Sequence, residues 1–78
     1  MSRQFLEYVT PWLVDHPDEV MITESDGERD EVVFELTVHP EDMGKIIGKR
    51  GRIIRSLRAL ARTAGGRDGR AVSVEVVD

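Results

Sequence analysis

Two glycines that bracket two cations form the stretch of this sequence best suited to hold an anion. Gly48 and Gly51 enclose Lys49 and Arg50. Glycine adopts backbone angles that other residues resist, and it lets a second backbone approach closely. A helix that begins at about Gly51 would turn free N–H groups and the positive end of its dipole toward this loop. The residue types and their spacing therefore predict a phosphate-binding loop.

The cations of the chain are concentrated around that loop. The 78 residues carry a net charge of −4, which by itself argues against a polyanion as ligand. Residues 1–43 contain two cations and twelve acids, whereas residues 44–70 contain nine cations and one acid. This segregation predicts a basic patch on an acidic body, because local potential rather than net charge steers a polyanion. The acidic remainder would limit indiscriminate binding.

Two helices are predicted to position the loop, at about residues 40–47 and 52–64. The first begins at Pro40, whose fixed φ suits a first helical turn, and carboxylates follow at the positive end of the dipole. The second has one apolar face, with arginines on the opposite side. Gly65-Gly66 is expected to end it. The apolar face consists of Ile53, Ile54, Leu57, Leu60, Ala61 and Ala64.

Alternation of apolar residues predicts three strands. Residues 20–24 and 31–39 are expected to pair as a hairpin across a turn at residues 25–27. Residues 71–77 form the last strand, after the second helix. One wholly apolar face is expected on each of the two longer strands, formed by Val32, Phe34, Leu36 and Val38 and by Val72, Val74 and Val76.

A first helix is predicted at about residues 2–16, with Ser2 as its cap. Pro11 interrupts the pattern, because a proline inside a helix removes a hydrogen bond and crowds the preceding turn, at a cost of about 3 kcal/mol. Two alternatives remain open. The helix kinks at Pro11, or Thr10 caps a second short helix with Pro11 at its first position. The apolar residues at helical spacing are Phe5, Val9, Trp12 and Leu13.

The loop and its flanks carry a resemblance to a known family. The run Ile46-Ile47-Gly48-Lys49-Arg50-Gly51-Arg52-Ile53-Ile54 resembles the core motif of the KH domain, a module that binds RNA and single strands. The predicted order α-β-β-α-α-β matches the type II, prokaryotic, arrangement of that fold. The chain is similar to small bacterial single-KH-domain RNA-binding proteins of the KhpA type, in residues 14–20 and 40–53. Pro11 departs from the unbroken first helix of that type.

This resemblance implies an α+β fold, with residues 1–78 forming a single KH domain. A three-stranded mixed sheet would carry the helices on one face, and the second and third strands would be parallel, joined by a right-handed crossover. It also implies binding of single-stranded RNA, with bases over an apolar groove between the motif helices and the sheet. The candidate RNA-binding residues are Gly44, Lys45, Ile47, Gly48, Lys49, Arg50, Gly51, Arg52 and Arg55.

The implied cellular role is that of a global RNA-binding or RNA chaperone factor in the cytoplasm. The resemblance implies a homodimer, or a heterodimer with a larger KH-containing RNA-binding protein, and dimerisation would raise avidity. Plainer interpretations remain for several residues. The glycine loop could be a simple turn between helices, and Gly44 could only let two helices pack closely. Arg58 and Arg62 are interpreted as a solvated helix face.

No catalytic residue, cofactor or metal site is predicted. The glycine spacing matches neither a P-loop nor a dinucleotide loop, and no nucleophile–base pair stands out. The chain has no cysteine, and His16 and His39, each beside a proline, are interpreted as turn and capping residues. No apolar run is long enough to span a membrane, and no signal peptide is evident, so a cytoplasmic protein is expected.

Two rival functions remain open. A helix, a short turn and an arginine-bearing helix also describe a helix-turn-helix DNA-binding module, although the three strands and the glycine loop argue against it. The other rival is a pure interaction domain that uses the same scaffold to assemble with a partner protein.

Overall fold

Three α-helices pack on one face of a three-stranded sheet in the computed structural model, which describes residues 1–67 and 69–77. Short 3-10 turns occupy Pro17–Glu19, Pro40–Asp42 and Lys49–Gly51. In chain order the helices and strands are α1 (Ser2–Leu13), β1 (Met21–Asp26), β2 (Val32–Thr37), α2 (Met43–Ile47), α3 (Arg52–Gly66) and β3 (Val72–Val77). The α+β class and the order α-β-β-α-α-β expected from the sequence are confirmed.

The sheet has the strand order β1-β2-β3 and is mixed. β1 pairs antiparallel with β2, with Met21 opposite Thr37, and β2 pairs parallel with β3, with Val32 opposite Val72. A parallel pair cannot be joined by a tight turn, so the chain crosses over through α2 and α3 between β2 and β3. The glycine loop therefore lies in the middle of this crossover, held by an element on each side.

The core lies between the helices and one face of the sheet. Alternate side chains of β2 and β3 are buried because successive side chains of a strand point to opposite faces. Burial of each large apolar side chain stabilises the fold by about 1.5–3 kcal/mol. The buried apolar side chains are Leu6, Val32, Phe34, Leu36, Val38, Ile46, Ile54, Leu57, Ala61, Val72 and Val74.

α1 continues through Pro11 without a break, so the second short helix does not form. Pro11 stands in the last turn of α1, where the missing N–H removes one helical hydrogen bond and little helix follows. α1 ends at Leu13, with Val14 extended, rather than at about residue 16. Ser2 lies inside the helix and gives no cap; Met1 is the N-cap residue.

α3 extends through both glycines that were expected to stop it, and ends at Gly66. Gly65 is buried, and a Cβ atom built on it would lie 2.2 Å from Cγ2 of Val72 and 3.3 Å from the carbonyl oxygen of Arg70. Gly65 therefore allows α3 to approach β3 closely rather than ending the helix. Leu60, placed on the core face by its spacing, is exposed.

Gly65→Ala is expected to destabilise the protein, whereas Gly66→Ala is expected to stabilise it. Overpacking a core costs about 1–3 kcal/mol, which outweighs the gain in helix propensity at Gly65 of up to about 1 kcal/mol. A Cβ atom at Gly66 meets nothing within 4 Å, so only the propensity gain applies there. Urea unfolding followed by circular dichroism measures both variants. A Gly65→Ala midpoint equal to or above that of Gly66→Ala would contradict the close packing.

The remaining boundaries differ from the sequence-based ones by a few residues. β1 reaches Asp26, two residues further than expected, and β2 ends at Thr37 rather than at about residue 39. The expected helix at residues 40–47 is divided into a 3-10 turn, Pro40–Asp42, and the short α2. Among the described helices, none is both long and apolar enough to cross a lipid bilayer.

Candidate nucleic-acid interface

The glycine loop forms a 3-10 turn between α2 and α3. Gly48 has φ 76° and ψ 173°, and its N–H donates to the carbonyl of Gly44 at 2.8 Å. Gly51 has φ 73° and ψ 18°, and its N–H donates to the carbonyl of Gly48 at 3.1 Å. Arg50 also has a positive φ, 58°. Positive φ at three of the four loop residues turns the chain tightly from α2 into α3.

The two glycines are required for different reasons. A Cβ atom on Gly48 would lie 2.3 Å from Cγ1 and 2.9 Å from the backbone nitrogen of Ile53. Its φ and ψ also fall in a region that is essentially restricted to glycine. A Cβ atom on Gly51 would meet only Cγ2 of Ile54, at 3.9 Å. Gly51 is therefore favoured by its backbone angles alone, whereas Gly48 is fixed by angles and packing together.

Three exposed cations lie at the loop. Lys49, Arg50 and Arg52 are exposed, and within the described part of the chain the structure gives none of them an ion pair. The N-cap residue of α3 is Gly51, which has no side chain to cap the helix. The positive end of the α3 dipole and three cations are thus available to an anion at the same place.

Arg55 braces the loop from the first turns of α3. Its Nη2 donates to the carbonyl oxygen of Arg50 at 3.0 Å. This hydrogen bond holds the backbone of Arg50 in its left-handed conformation. The exposed guanidinium of Arg55 keeps further N–H donors for a ligand. The structure thus brings Arg55 to the loop, as its spacing suggested.

Arg58 joins α3 to the outer edge of the sheet. Its Nε donates to the carbonyl of Val74 at 3.0 Å, and its Nη2 lies 3.9 Å from Oε2 of Glu75. Arg62 in turn donates from Nε to the carbonyl of Arg58 at 3.3 Å. The interpretation of Arg58 as a solvated helix face is therefore incomplete. The spacing of residues in the sequence does not predict this hydrogen bond, because it joins α3 to a strand 16 residues further along the chain.

Gly44 and Ile47 lie on the exposed side of α2. A Cβ atom on Gly44 would meet nothing within 4 Å, so this glycine is not required for close packing between helices. Ile47 is 38% exposed at the end of α2, directly before Gly48. The two residues give open, partly apolar surface beside the loop.

Lys45 differs from the loop cations because it is already paired. Its Nζ lies 2.9 Å from Oδ2 of Asp15 and 3.8 Å from Oδ1 of Asp42. The hydrogen bond with Asp15 and the nearby negative charge raise the pKa of Lys45. A phosphate would have to compete with two carboxylates for this ammonium group, so the structure places Lys45 apart from the other candidate residues.

Asp42 anchors the start of α2 to the segment after α1. Its side chain is fully buried and accepts hydrogen bonds from the N–H groups of Asp15, at 3.2 Å, and of His16, at 3.0 Å. The His16 ring donates from Nδ1 to Oδ2 of Asp42 at 3.0 Å. Burial raises the pKa of Asp42, but these hydrogen bonds outweigh it and lower the pKa overall. The bond to Asp42 raises the pKa of His16 although burial opposes it.

The Asp42–His16 pair is expected to make stability depend on pH in both directions. The lowered pKa of Asp42 stabilises the fold above the unfolded value of about 3.9, and this contribution is lost as the pH falls further. The raised pKa of His16 stabilises the fold below about 6.5, and this contribution is lost as the pH rises through the folded value. Urea midpoints of Asp42→Asn should be lower and less dependent on pH than those of the natural protein. An unchanged pH profile would contradict the pairing.

Two depressions lie along β3. The first, of about 150 Å³, lies between Arg58 and Arg62 of α3 and the first half of β3. The second, of about 580 Å³, is mostly apolar and lies at the end of the sheet, between residues 18–21, residues 37–40, Met43 and Val77. Met43 is its one lining residue from α2 or α3, so this depression is not the groove expected between the motif helices and the sheet.

The two histidines of the chain meet, which their sequence positions do not indicate. The rings of His16 and His39 stack with their centroids 3.9 Å apart and 12° between their planes. His39 also accepts at Nδ1 from the N–H of Glu41 at 3.1 Å, which is the capping contact expected of it. The stack joins the segment after α1 to the turn that begins the motif helices.

Comparison with known proteins relates nearly the whole chain to one group. A protein of Clostridium acetobutylicum named RNA-binding protein KhpA is 44% identical over 75 residues, which are 96% of this chain and 99% of the relative. Proteins of the same name from Halalkalibacterium halodurans and Aquifex aeolicus are 40% and 41% identical over 76 residues, or 97% of this chain. These alignments cover 99% and 95% of the two relatives.

A family model described as the KH domain of KhpA and KhpB matches residues 3–76. The match includes the glycine loop, both motif helices and nearly all of the sheet. The α-β-β-α-α-β order and the parallel pairing of β2 with β3 identify the fold as a single KH domain of type II. The resemblance predicted from the sequence is thus confirmed, and the chain belongs to the KhpA/KhpB family of KH domains.

Proposed function

We propose that this protein binds single-stranded RNA and that the Gly48–Gly51 loop holds the phosphates. The observation that carries the proposal is a group of cations at the start of α3, Lys49, Arg50 and Arg52, to which the described residues offer no acidic partner. The GXXG loop of KH domains clamps the backbone of about four nucleotides. The name that the relatives share, RNA-binding protein, supports the same function.

The bases would lie beside Gly44 and Ile47 and extend toward β3. The open surface at Gly44 leaves room for a planar base, and the exposed part of Ile47 gives an apolar contact. β3 is an edge strand of the described sheet, so it presents backbone N–H and C=O groups to base edges. Arg55 and Arg52 would contact phosphates on the loop side. Lys45 would contribute only after leaving Asp15.

Affinity for one RNA segment is expected to be weak and dependent on salt. One module contacts about four nucleotides, and three to four phosphate contacts would give a slope of about −2 to −3 for log K against log salt concentration. Assembly of two modules raises avidity because the second contact becomes intramolecular. A global RNA-binding or RNA chaperone factor in the cytoplasm would combine such weak, unselective sites in a dimer.

An exposed aromatic stripe on α1 supports the dimer. Tyr8 and Trp12, one turn apart, are 72% and 78% exposed, and Leu60 of α3 is 53% exposed. Leu60 shares a depression with Phe5 of α1, so the two helices present one apolar surface. Aromatic residues at this exposure are typical of protein interfaces. This α1–α3 surface is the proposed interface for a second copy, or for a larger KH-containing RNA-binding protein.

The Trp12→Ser, Leu60→Ser double variant is expected to be monomeric. An interface centred on these side chains should lose about 2 kcal/mol or more, which corresponds to roughly 30-fold weaker association. Analytical ultracentrifugation over a concentration series measures this change. Glu7→Ser, an exposed change on the same helix, serves as the control and should leave the mass unchanged. A natural protein that stays monomeric at high concentration would refute the homodimer.

The same α1–α3 surface favours a second candidate function, a pure interaction module in which the loop is incidental. Such a module would show negligible RNA affinity, and reversal of the loop charge would leave partner binding intact. A helix-turn-helix is less well supported, because α2 has five residues and the loop beside it is packed as a tight turn.

Fluorescence anisotropy with labelled single-stranded RNA tests the proposal. The comparison ligand is duplex DNA of equal total charge, and both are titrated over a salt series. Tighter, salt-dependent binding of the RNA would support the proposal. Preference for the duplex would support the DNA-binding alternative, and absence of binding to both would support the interaction module.

A further inference from the structure

Two histidines and a carboxylate converge at the junction between α1 and the motif helices. Oε1 of Glu41 lies 3.7 Å from Nε2 of His16 and 3.7 Å from Nδ1 of His39. Each of the three residues offers one ligand atom, and these atoms all lie within 4.8 Å of one another. Two histidines and one carboxylate are a ligand set used by zinc sites with one open position, although these atoms lie somewhat further apart than in a bound site.

Each histidine has a second carboxylate behind it. Nδ1 of His16 lies 3.0 Å from the buried carboxylate of Asp42, which holds a proton on Nδ1, so Nε2 carries the lone pair when the ring is neutral. Nδ1 of His39 accepts from the N–H of Glu41, which places the lone pair on Nδ1 and the proton on Nε2, 3.7 Å from Oε2 of Glu19. Histidines that bind metals usually donate their other N–H to such an oxygen, which fixes the tautomer and the ring orientation.

The donor set selects the class of ion. Two imidazole nitrogens and one carboxylate oxygen suit Zn²⁺ and similar late first-row divalent ions, whereas Mg²⁺ and Ca²⁺ prefer oxygen ligands throughout. We infer that His16, His39 and Glu41 form a Zn²⁺-binding site, with water as the fourth ligand. This site would join the segment after α1 to the turn that begins α2, apart from the phosphate loop.

Binding requires small local changes. Ligand atoms around tetrahedral Zn²⁺ lie about 3.4 Å apart, so the contacts of Glu41 with the two rings must shorten slightly. The stacked rings must also tilt apart, because a metal lies in the plane of each ring that binds it. The N–H of Glu41 loses its bond to Nδ1 of His39. The Glu41 side chain is 74% exposed and those of His16 and His39 are 35% and 26% exposed, so each has a solvent-facing side toward which it can move.

Isothermal titration of untagged protein with ZnCl₂ tests the site. One Zn²⁺ per chain should bind, and excess Mg²⁺ should not compete. His39→Gln and Glu41→Gln should each weaken Zn²⁺ binding by more than about tenfold. Loss of a residue that only hydrogen-bonds a metal ligand already costs about that much, and these two residues are ligands themselves. Glu28→Gln, a change at another exposed acid, should leave binding unchanged. Absence of saturable binding would overturn the inference, as would equal affinity of the natural protein and both ligand variants.

Thermal unfolding gives a second readout that does not depend on RNA. Zn²⁺ should raise the melting temperature of the natural protein, and a chelator should reverse the increase, because an ion that binds only the folded state stabilises it. Neither ligand variant should respond, and circular dichroism is used to check that both are folded. A Zn²⁺ response that persists in both variants would place the ion elsewhere and refute the site.

Discussion

Replacement of Lys49 and Arg50 by aspartate should weaken binding of single-stranded RNA by about 100-fold or more. Each charge-assisted hydrogen bond contributes about 1.5 kcal/mol or more, and every 1.4 kcal/mol is about tenfold in affinity. Loss of two phosphate contacts should also flatten the salt dependence by about 1.4 in the slope. Both cations are exposed and have no acidic partner in the described structure, so their loss breaks no ion pair.

A matched control separates the loop from the overall charge. Arg29→Asp, Arg67→Asp changes the net charge by the same amount, in the β1–β2 turn and at the end of α3 opposite the loop. This control should lose only a few-fold in RNA affinity, because it weakens the overall electrostatic attraction and removes no loop contact. Anisotropy over the same salt series compares the two variants, and circular dichroism checks that both fold. Equal losses in the two would mean that the loop is no specific clamp.

Gly48→Ala should reduce the free energy of unfolding by about 3 kcal/mol or more. The strained backbone angles cost about 1–3 kcal/mol, and the overlap with Ile53 adds an overpacking cost of about 1–3 kcal/mol. A domain of this length has a total stability of roughly 4–12 kcal/mol. One methyl group should therefore remove about a quarter or more of the total stability.

Gly51→Ala provides the comparison within the same loop. It adopts the ordinary left-handed region with open space around its Cβ position, so its cost should be about 1–2 kcal/mol. Urea midpoints by circular dichroism rank the two variants against the natural protein. A Gly48→Ala protein as stable as Gly51→Ala would show that Ile53 moves aside freely and that the packing argument is wrong.

The elements of this fold are predictable because their signals are local. The alternation of Val32, Phe34 and Leu36 indicates which face of β2 is buried, and all three are buried. The glycine loop, its flanking isoleucines and the acidic start of the motif helices give the KH arrangement. Pro11 conflicts with the helical pattern around it, but it stands in the last turn of α1, where the loss of one hydrogen bond affects few helical residues.

The parts that sequence does not predict depend on contacts between distant residues. Gly65 is expected to end the helix, because glycine has a low helix propensity. Its close packing against Val72 instead keeps it within α3, so a tertiary contact outweighs the propensity. Lys45 looks like a phosphate ligand by its place beside the loop, but Asp15 holds it. His16 and His39 carry no signal in the sequence, because 23 positions separate them and only the fold stacks their rings.

Trp12 makes this protein its own fluorescent reporter. It is the single tryptophan of the chain and is 78% exposed, so water already surrounds its indole in the folded monomer. Unfolding should therefore shift its emission very little, whereas burial between two chains should shift the emission to shorter wavelengths. On dilution of the unlabelled protein, the emission wavelength of Trp12 then reports association, while circular dichroism reports folding. The two equilibria can therefore be followed in one sample.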